Sequence, residues 1–101
     1  MRRDYTFDIN GEKWLIRFSR LRGKAAGWCD YKRRKILVHN SLTPKQTLDT
    51  LIHEVTHAIH PQLCEESVVY TGAKLAEIIC GVGLVKEEKP CEVRRPGRKG
   101  N

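Results

Sequence analysis

Residues 43–61, with the sequence TPKQTLDTLIHEVTHAIHP, predict the helix on which the rest of the fold depends. Thr43 is a preferred N-cap residue, Pro44 suits the first helical position, and Gln46 follows the cap by three residues and completes a capping box. Apolar residues then recur at the spacing of one helix face, and Pro61 ends the helix because it has no N–H to donate. The residues of this predicted core face are Leu48, Leu51, Ile52, Val55 and Ile59.

A polar stripe on the same helix contains the run His53-Glu54-Val55-Thr56-His57, which has the pattern H-E-x-x-H. Positions i and i+4 lie on one helix face, so both imidazoles can bind a single metal ion. Glu54 is then close enough to act as a general base on a water at that ion. The pattern is typical of zinc-dependent hydrolases, and it predicts one Zn²⁺ per chain.

A third ligand must come from outside this helix, because catalytic zinc sites generally use three protein ligands and keep one open position. A second helix is predicted from about Glu65 to Gly81, with a buried face of Val68, Gly72, Leu75, Ile79 and Val82. If the turn between the helices folds it back, a carboxylate of its first turn can reach the metal.

Three glutamates of the second helix compete for this role. Glu65 is favoured because it shares a helix face with Val68, whereas Glu66 points about 100° away and comes second. Glu77, three turns along the helix, is the remaining contender.

His60, His39 and Tyr70 are candidates for a hydrogen bond to a ligand or for stabilising an oxyanion. Cys91 is a candidate to occupy the open metal position and keep the enzyme latent.

The N-terminal half predicts strands. Asn10-Gly11 between two alternating apolar runs is a strong hairpin signal, and it indicates strands over about residues 4–9 and 12–18. A second hairpin is predicted from strands 27–31 and 35–39, the latter as an edge strand able to hold an extended peptide. The sequence therefore predicts an α+β fold, in which a small antiparallel N-terminal sheet packs on the H-E-x-x-H helix and a second, C-terminal helix.

Length and composition predict a single small domain. The 101 residues have a net charge of +7 and are 40% hydrophobic. We expect a domain over residues 1–85 and a basic, poorly ordered tail over 86–101. No apolar run is long enough to span a bilayer and no secretory h-region follows the N-terminus, so a cytoplasmic protein without a membrane partner is expected. The excess of basic residues favours polyanions, which makes nucleic acid a candidate partner.

The chain also resembles a known family over roughly half its length, from Gly27 to Ala76. It is similar to small zincin-type metallopeptidases of the SprT-like and ImmA/IrrE-like kind, including short phage-encoded members. The matching stretches are Gly27-Trp28-Cys29-Asp30, Lys35-Ile36-Leu37-Val38-His39, Thr43-Pro44, the segment 51–58 with the H-E-x-x-H run, Glu65-Glu66-Ser67-Val68 and Leu75-Ala76.

These families are gluzincin-like, so the resemblance implies zinc on His53, His57 and a glutamate of the second helix, with Glu54 as the catalytic base. Larger SprT-like proteins carry a C-terminal zinc ribbon, and the spacing of the four cysteines in this sequence fits no such ribbon. The function predicted is that of a zinc metalloendopeptidase acting on a protein or peptide. The alternatives are a non-catalytic zinc-binding interaction module and a DNA-associated protein that uses its basic surface.

Overall fold

The computed structural model describes residues 2–86 and has an α+β fold, with a four-stranded mixed sheet and two helices. The strands are β1 (Arg3–Ile9), β2 (Glu12–Ser19), β3 (Gly27–Asp30) and β4 (Lys35–His39), and the helices are α1 (Pro44–Ile59) and α2 (Glu65–Gly81). Residues 87–101 of the predicted tail, with Cys91, lie outside the described residues. Neither helix in the described part of the chain is long and apolar enough to cross a membrane.

The first hairpin forms where the sequence predicts it. Asn10 and Gly11 have positive φ angles of 53° and 82°, and Ile9 pairs with Glu12 across the turn. Two consecutive positive φ angles define the tight turn whose twist matches the flanking strands. The turn thereby sets the antiparallel register of β1 and β2.

The prediction of an antiparallel sheet is wrong in one respect, because β2 and β4 pair in parallel. The strand order is β1-β2-β4-β3, so β4 is an inner strand and not the predicted edge; β3 lies at that edge instead. Ile36 and Val38 of β4 are completely buried, and they pair with Ile16 and Phe18 of β2. The inner position gives both residues apolar neighbours on the face covered by α1, which an edge position would not.

Helix α1 begins with the predicted capping box. The Gln46 N–H donates to Thr43 Oγ1 at 3.2 Å, and the Thr43 N–H donates to Gln46 Oε1 at 3.1 Å. Leu51 and Val55 pack against the core as predicted. Ile59 does not, since it is 39% exposed and the neighbouring Ala58 is buried in its place.

Helix α2 has the predicted bounds, and its buried face agrees with the prediction at Val68 and Gly72 but not at Leu75 and Val82. Val68, Gly72 and Ala76 are buried, whereas Leu75 and Val82 of the predicted face are exposed. The reason is a close approach of the two helices at Gly72. A Cβ atom there would lie 2.8 Å from Asp49 Oδ1 and 3.0 Å from Asp49 O, so the contact follows the i, i+4 row through this glycine. This packing brings the first turn of α2 beside the second half of α1.

Candidate metal centre

Three side chains with metal-binding atoms converge between the two helices. His53 and His57 lie one turn apart on α1, and Glu65 is the first residue of α2. Glu65 Oε2 lies 3.3 Å from His53 Nε2, and Glu65 Oε1 lies 3.0 Å from His57 Nε2. One ligand atom from each of the three residues lies within 4.8 Å of the other two. The site thus joins an i, i+4 histidine pair to a carboxylate from another helix.

This donor set fits a zinc ion. Zinc bonds of about 2.0–2.2 Å in a tetrahedral site imply ligand atoms roughly 3.3–3.6 Å apart. The separations of 3.3 and 3.0 Å between Glu65 and the two imidazoles are close to that value. Two imidazoles and one carboxylate are also a ligand set found in catalytic zinc sites, where the fourth position is left to water or substrate.

Glu54 lies next to this group and is only 8% exposed. Burial raises the pKa of its carboxyl, while the nearby His53 and His57 act in the opposite direction. Strand β3 passes α1 beside Glu54, and the residue of the strand at this point is a glycine. A Cβ atom on Gly27 would lie 2.7 Å from Thr50 Cγ2 and 3.6 Å from Glu54 Cγ. Strand and helix can therefore approach closely beside the general-base candidate.

An open cleft of about 370 Å³ exposes the site to solvent. One wall carries His53, Glu54, His57 and Glu65, and the other consists of β3 and the residue after it, with Gly27, Trp28, Cys29 and Tyr31. None of the four residues of the second wall is predicted from the sequence as a site residue. They come from a different hairpin, and only the pairing of β3 with β4 brings them beside α1.

Cys29 and Tyr31 are both protonated at neutral pH in this cleft. Burial is the main cause that raises the pKa of the Cys29 thiol to about 11, and it also raises the pKa of Tyr31. Cys29 is partly buried, because it packs against the core and also faces the cleft. The Tyr31 hydroxyl donates a hydrogen bond to the main-chain oxygen of His57 at 3.1 Å.

The other two glutamates of α2 lie elsewhere. Glu66 is exposed and does not line the cleft. Glu77 is exposed as well, and its carboxylate accepts a hydrogen bond from Lys74 Nζ at 2.9 Å on the helix surface. Of the three glutamates considered from the sequence, Glu65 is the one that the structure brings to the histidines.

The three further candidates also stand outside the cleft. His39, at the end of β4, interacts through Nδ1 with Ser41 and lines a separate hollow. His60 is the C-cap residue of α1, with its main-chain N–H bonded to Thr56 O at 2.8 Å. Tyr70 is 65% exposed and its ring faces Lys74. None of these three residues lines the cleft, so the structure does not bring them to the histidine pair.

Comparison with known protein families, with curated proteins and with solved structures finds no match to this chain. The resemblance to small zincin-type metallopeptidases therefore stays a prediction.

Proposed function

We propose that this protein is a zinc metallopeptidase with a zincin-like fold. The observation that carries the proposal is the convergence of His53, His57 and Glu65 beside the buried Glu54, in a cleft open to solvent. A structural metal site would need the ligands but not a buried carboxylate next to them. The combination is the one expected for hydrolysis by an activated water.

Each residue of the candidate metal centre has a separate role in the proposed reaction. Zinc, when bound to His53, His57 and Glu65, supplies a Lewis acid that activates water and polarises a peptide carbonyl. Glu54 accepts the proton of the attacking water and passes it to the leaving amine. Its position one residue after His53 on α1 holds the carboxylate beside the ligands, where it is largely buried and still lines the cleft.

The substrate in this proposal is an extended peptide bound along strand β3. Among the described strands β3 pairs only with β4, so its other edge is free to accept another strand. Peptides commonly bind by adding a strand to such an edge. Trp28, which is 57% exposed, and Tyr31 offer apolar contact at the same edge. The outer edge of β3 therefore replaces β4 as the candidate site for peptide binding, because β4 is an inner strand.

Metal content tests the ligand set. We expect protein purified without added metal to contain about one zinc per chain, and Glu65→Ala to lose it. Glu66→Ala and Glu77→Ala are matched controls, because both remove an exposed glutamate of the same helix and leave the three converging side chains intact. A zinc-free wild-type protein that takes up no zinc on addition would refute the proposal.

Peptide hydrolysis tests the catalytic role. Glu54→Gln keeps the size of the side chain and removes its basicity, so we expect it to bind zinc like wild type and to cleave no member of a peptide library. Normal cleavage by this variant would contradict the general-base assignment. Zinc binding by wild type without any hydrolysis would favour the non-catalytic zinc-binding module instead.

Binding to a polyanion is a second candidate, favoured by one observation. Arg20, Arg22 and His39 surround an open hollow of about 870 Å³ beside the β2–β3 loop. A nucleic acid bound there would lose affinity steeply as the salt concentration rises. Binding of a DNA duplex that does not change between low and high salt would exclude this use of the hollow.

A further inference from the structure

The C-terminal end of α1 has a carbonyl group that the helix cannot satisfy. Carbonyls of the last helical turn need partners from beyond the helix or from elsewhere in the fold. The Thr56 carbonyl finds one in the N–H of His60. For His57 the corresponding donor would be residue 61, four positions on, but Pro61 has no N–H. The unsatisfied carbonyl belongs to one of the two histidines of the candidate metal centre.

A side chain from the sheet supplies the missing donor. Tyr31 follows directly after β3, and its hydroxyl donates to the His57 carbonyl at 3.1 Å. The tyrosine ring is itself held in place, because it packs edge-on against Trp14 with ring centroids 6.3 Å apart. Trp14 is 4% exposed and belongs to the core cluster. The hydroxyl is therefore attached to the rigid part of the fold.

We propose that Tyr31 is a positioning residue of the metal centre, which fixes the last turn of α1 and with it the imidazole of His57. The inference deepens the proposed function and rests on it. His57 Nε2 lies 3.0 Å from Glu65 Oε1. A small rotation of the last turn of α1 would therefore separate these two atoms. Hydrogen bonds around ligand residues are known to orient them and to tune metal affinity.

A second bond at the same helix end makes the role of Tyr31 separable from folding. Asn10 Nδ2, in the β1–β2 turn, donates to the Ile59 carbonyl at 2.9 Å. The end of α1 thus stays attached to the sheet when the Tyr31 hydroxyl is removed. Tyr31 differs from Asn10 in that it bonds the histidine itself.

The test compares Tyr31→Phe with Tyr5→Phe, a matched control whose ring packs against Phe18 on β2. Zinc affinity is measured by competition with a chelator, the ligand geometry by the visible absorption of the cobalt-substituted protein, and stability by thermal unfolding without metal. We expect Tyr31→Phe to bind zinc about threefold to tenfold more weakly, the loss that corresponds to one hydrogen bond, and to show an altered cobalt spectrum. Tyr5→Phe should match wild type in both metal measurements.

The outcomes separate this inference from the proposed function. If wild type binds zinc and Tyr31→Phe binds it equally tightly with the same cobalt spectrum, the inference is wrong and the proposed function stands, even if the variant unfolds at a lower temperature. If wild type binds no zinc, both are wrong.

Restoring a donor at position 61 provides the decisive variant. Pro61→Ala adds a main-chain N–H and removes the restriction that proline places on His60, so that α1 can extend and bond the His57 carbonyl directly. We expect Tyr31→Phe/Pro61→Ala to recover most of the zinc affinity that Tyr31→Phe loses. No recovery in the double variant would show that the bond to this carbonyl is not what Tyr31 contributes.

Discussion

Replacing Gly27 with alanine tests the close approach of β3 and α1 that shapes the cleft. A Cβ atom at this position would lie 2.5 Å from the main-chain oxygen of Leu37 and 2.7 Å from Thr50 Cγ2. Both separations are well below ordinary contact distances. The Leu37 oxygen belongs to β4 and cannot move alone, and Thr50 belongs to α1, so β3 must shift away from both elements beside Glu54.

The expected loss follows from two opposing contributions. Adding a methyl group to a well-packed site costs about 1–3 kcal/mol, and the short distance to a main-chain atom places Gly27→Ala toward the upper end. Replacing glycine also restricts the unfolded chain, and this stabilisation offsets about 0.4–1 kcal/mol of the loss. We expect a net loss of about 2 kcal/mol, which for a domain of this size lowers Tm by roughly 8–16 °C.

Thermal and urea unfolding of metal-free protein measure this loss without any contribution from bound metal. Gly81→Ala is the matched control, because the last residue of α2 has nothing within 4 Å of its Cβ position. That variant should be as stable as wild type or up to about 1 kcal/mol more stable, since alanine is the better helix former. An unchanged Tm for Gly27→Ala, or an equal fall for Gly81→Ala, would refute the close approach.

Three further predictions concern the helix start, the core and the cysteines. Thr43→Ala removes the N-cap side chain of α1 and should cost about 1 kcal/mol in urea unfolding; no loss would contradict the capping box. Ile36→Ala leaves a cavity at a completely buried position, so the free energy of unfolding should fall by about 2–5 kcal/mol. A loss as small as that for an exposed residue of the sheet would contradict the burial of Ile36. In metal-free protein at pH 8, Cys64 should be alkylated much faster than Cys29, as followed by mass spectrometry of the tryptic peptides. Cys29 has a pKa of about 11, so roughly one part in a thousand of it is thiolate at that pH. A hydrogen bond with Ser67 lowers the pKa of the exposed Cys64. Equal alkylation rates of the two cysteines would contradict this difference.

The features that the sequence predicts well are those whose causes lie within a few residues. Asn10-Gly11 determines its turn because these two residues tolerate positive φ angles, and the turn sets the register of both flanking strands. Thr43 and Gln46 bond each other's main chain, so the start of α1 is readable from four residues. The H-E-x-x-H spacing places two imidazoles on one helix face for the same local reason.

The sheet order and the C-terminal part of the contact face of α2 are not readable in this way. The parallel pairing of β2 and β4 joins strands that have β3 between them in the chain. It buries Ile36 and Val38, and alternation alone does not tell whether these residues lie in an edge strand or an inner strand. Periodicity also assigned Leu75 to the buried face of α2. The close approach at Gly72 turned the helix so that Ala76 is buried instead.

The candidate site combines both kinds of information. The sequence by itself determined which helix carries the two histidines and Glu54, because that depends on spacing along one element. It also favoured Glu65 over Glu66, from the helix face that each occupies. Only the tertiary structure decided that Glu65 lies against both imidazoles and that Tyr31 bonds the His57 carbonyl, a contact between residues 26 positions apart. Such contacts depend on how separate elements pack, and no local pattern in the chain encodes that.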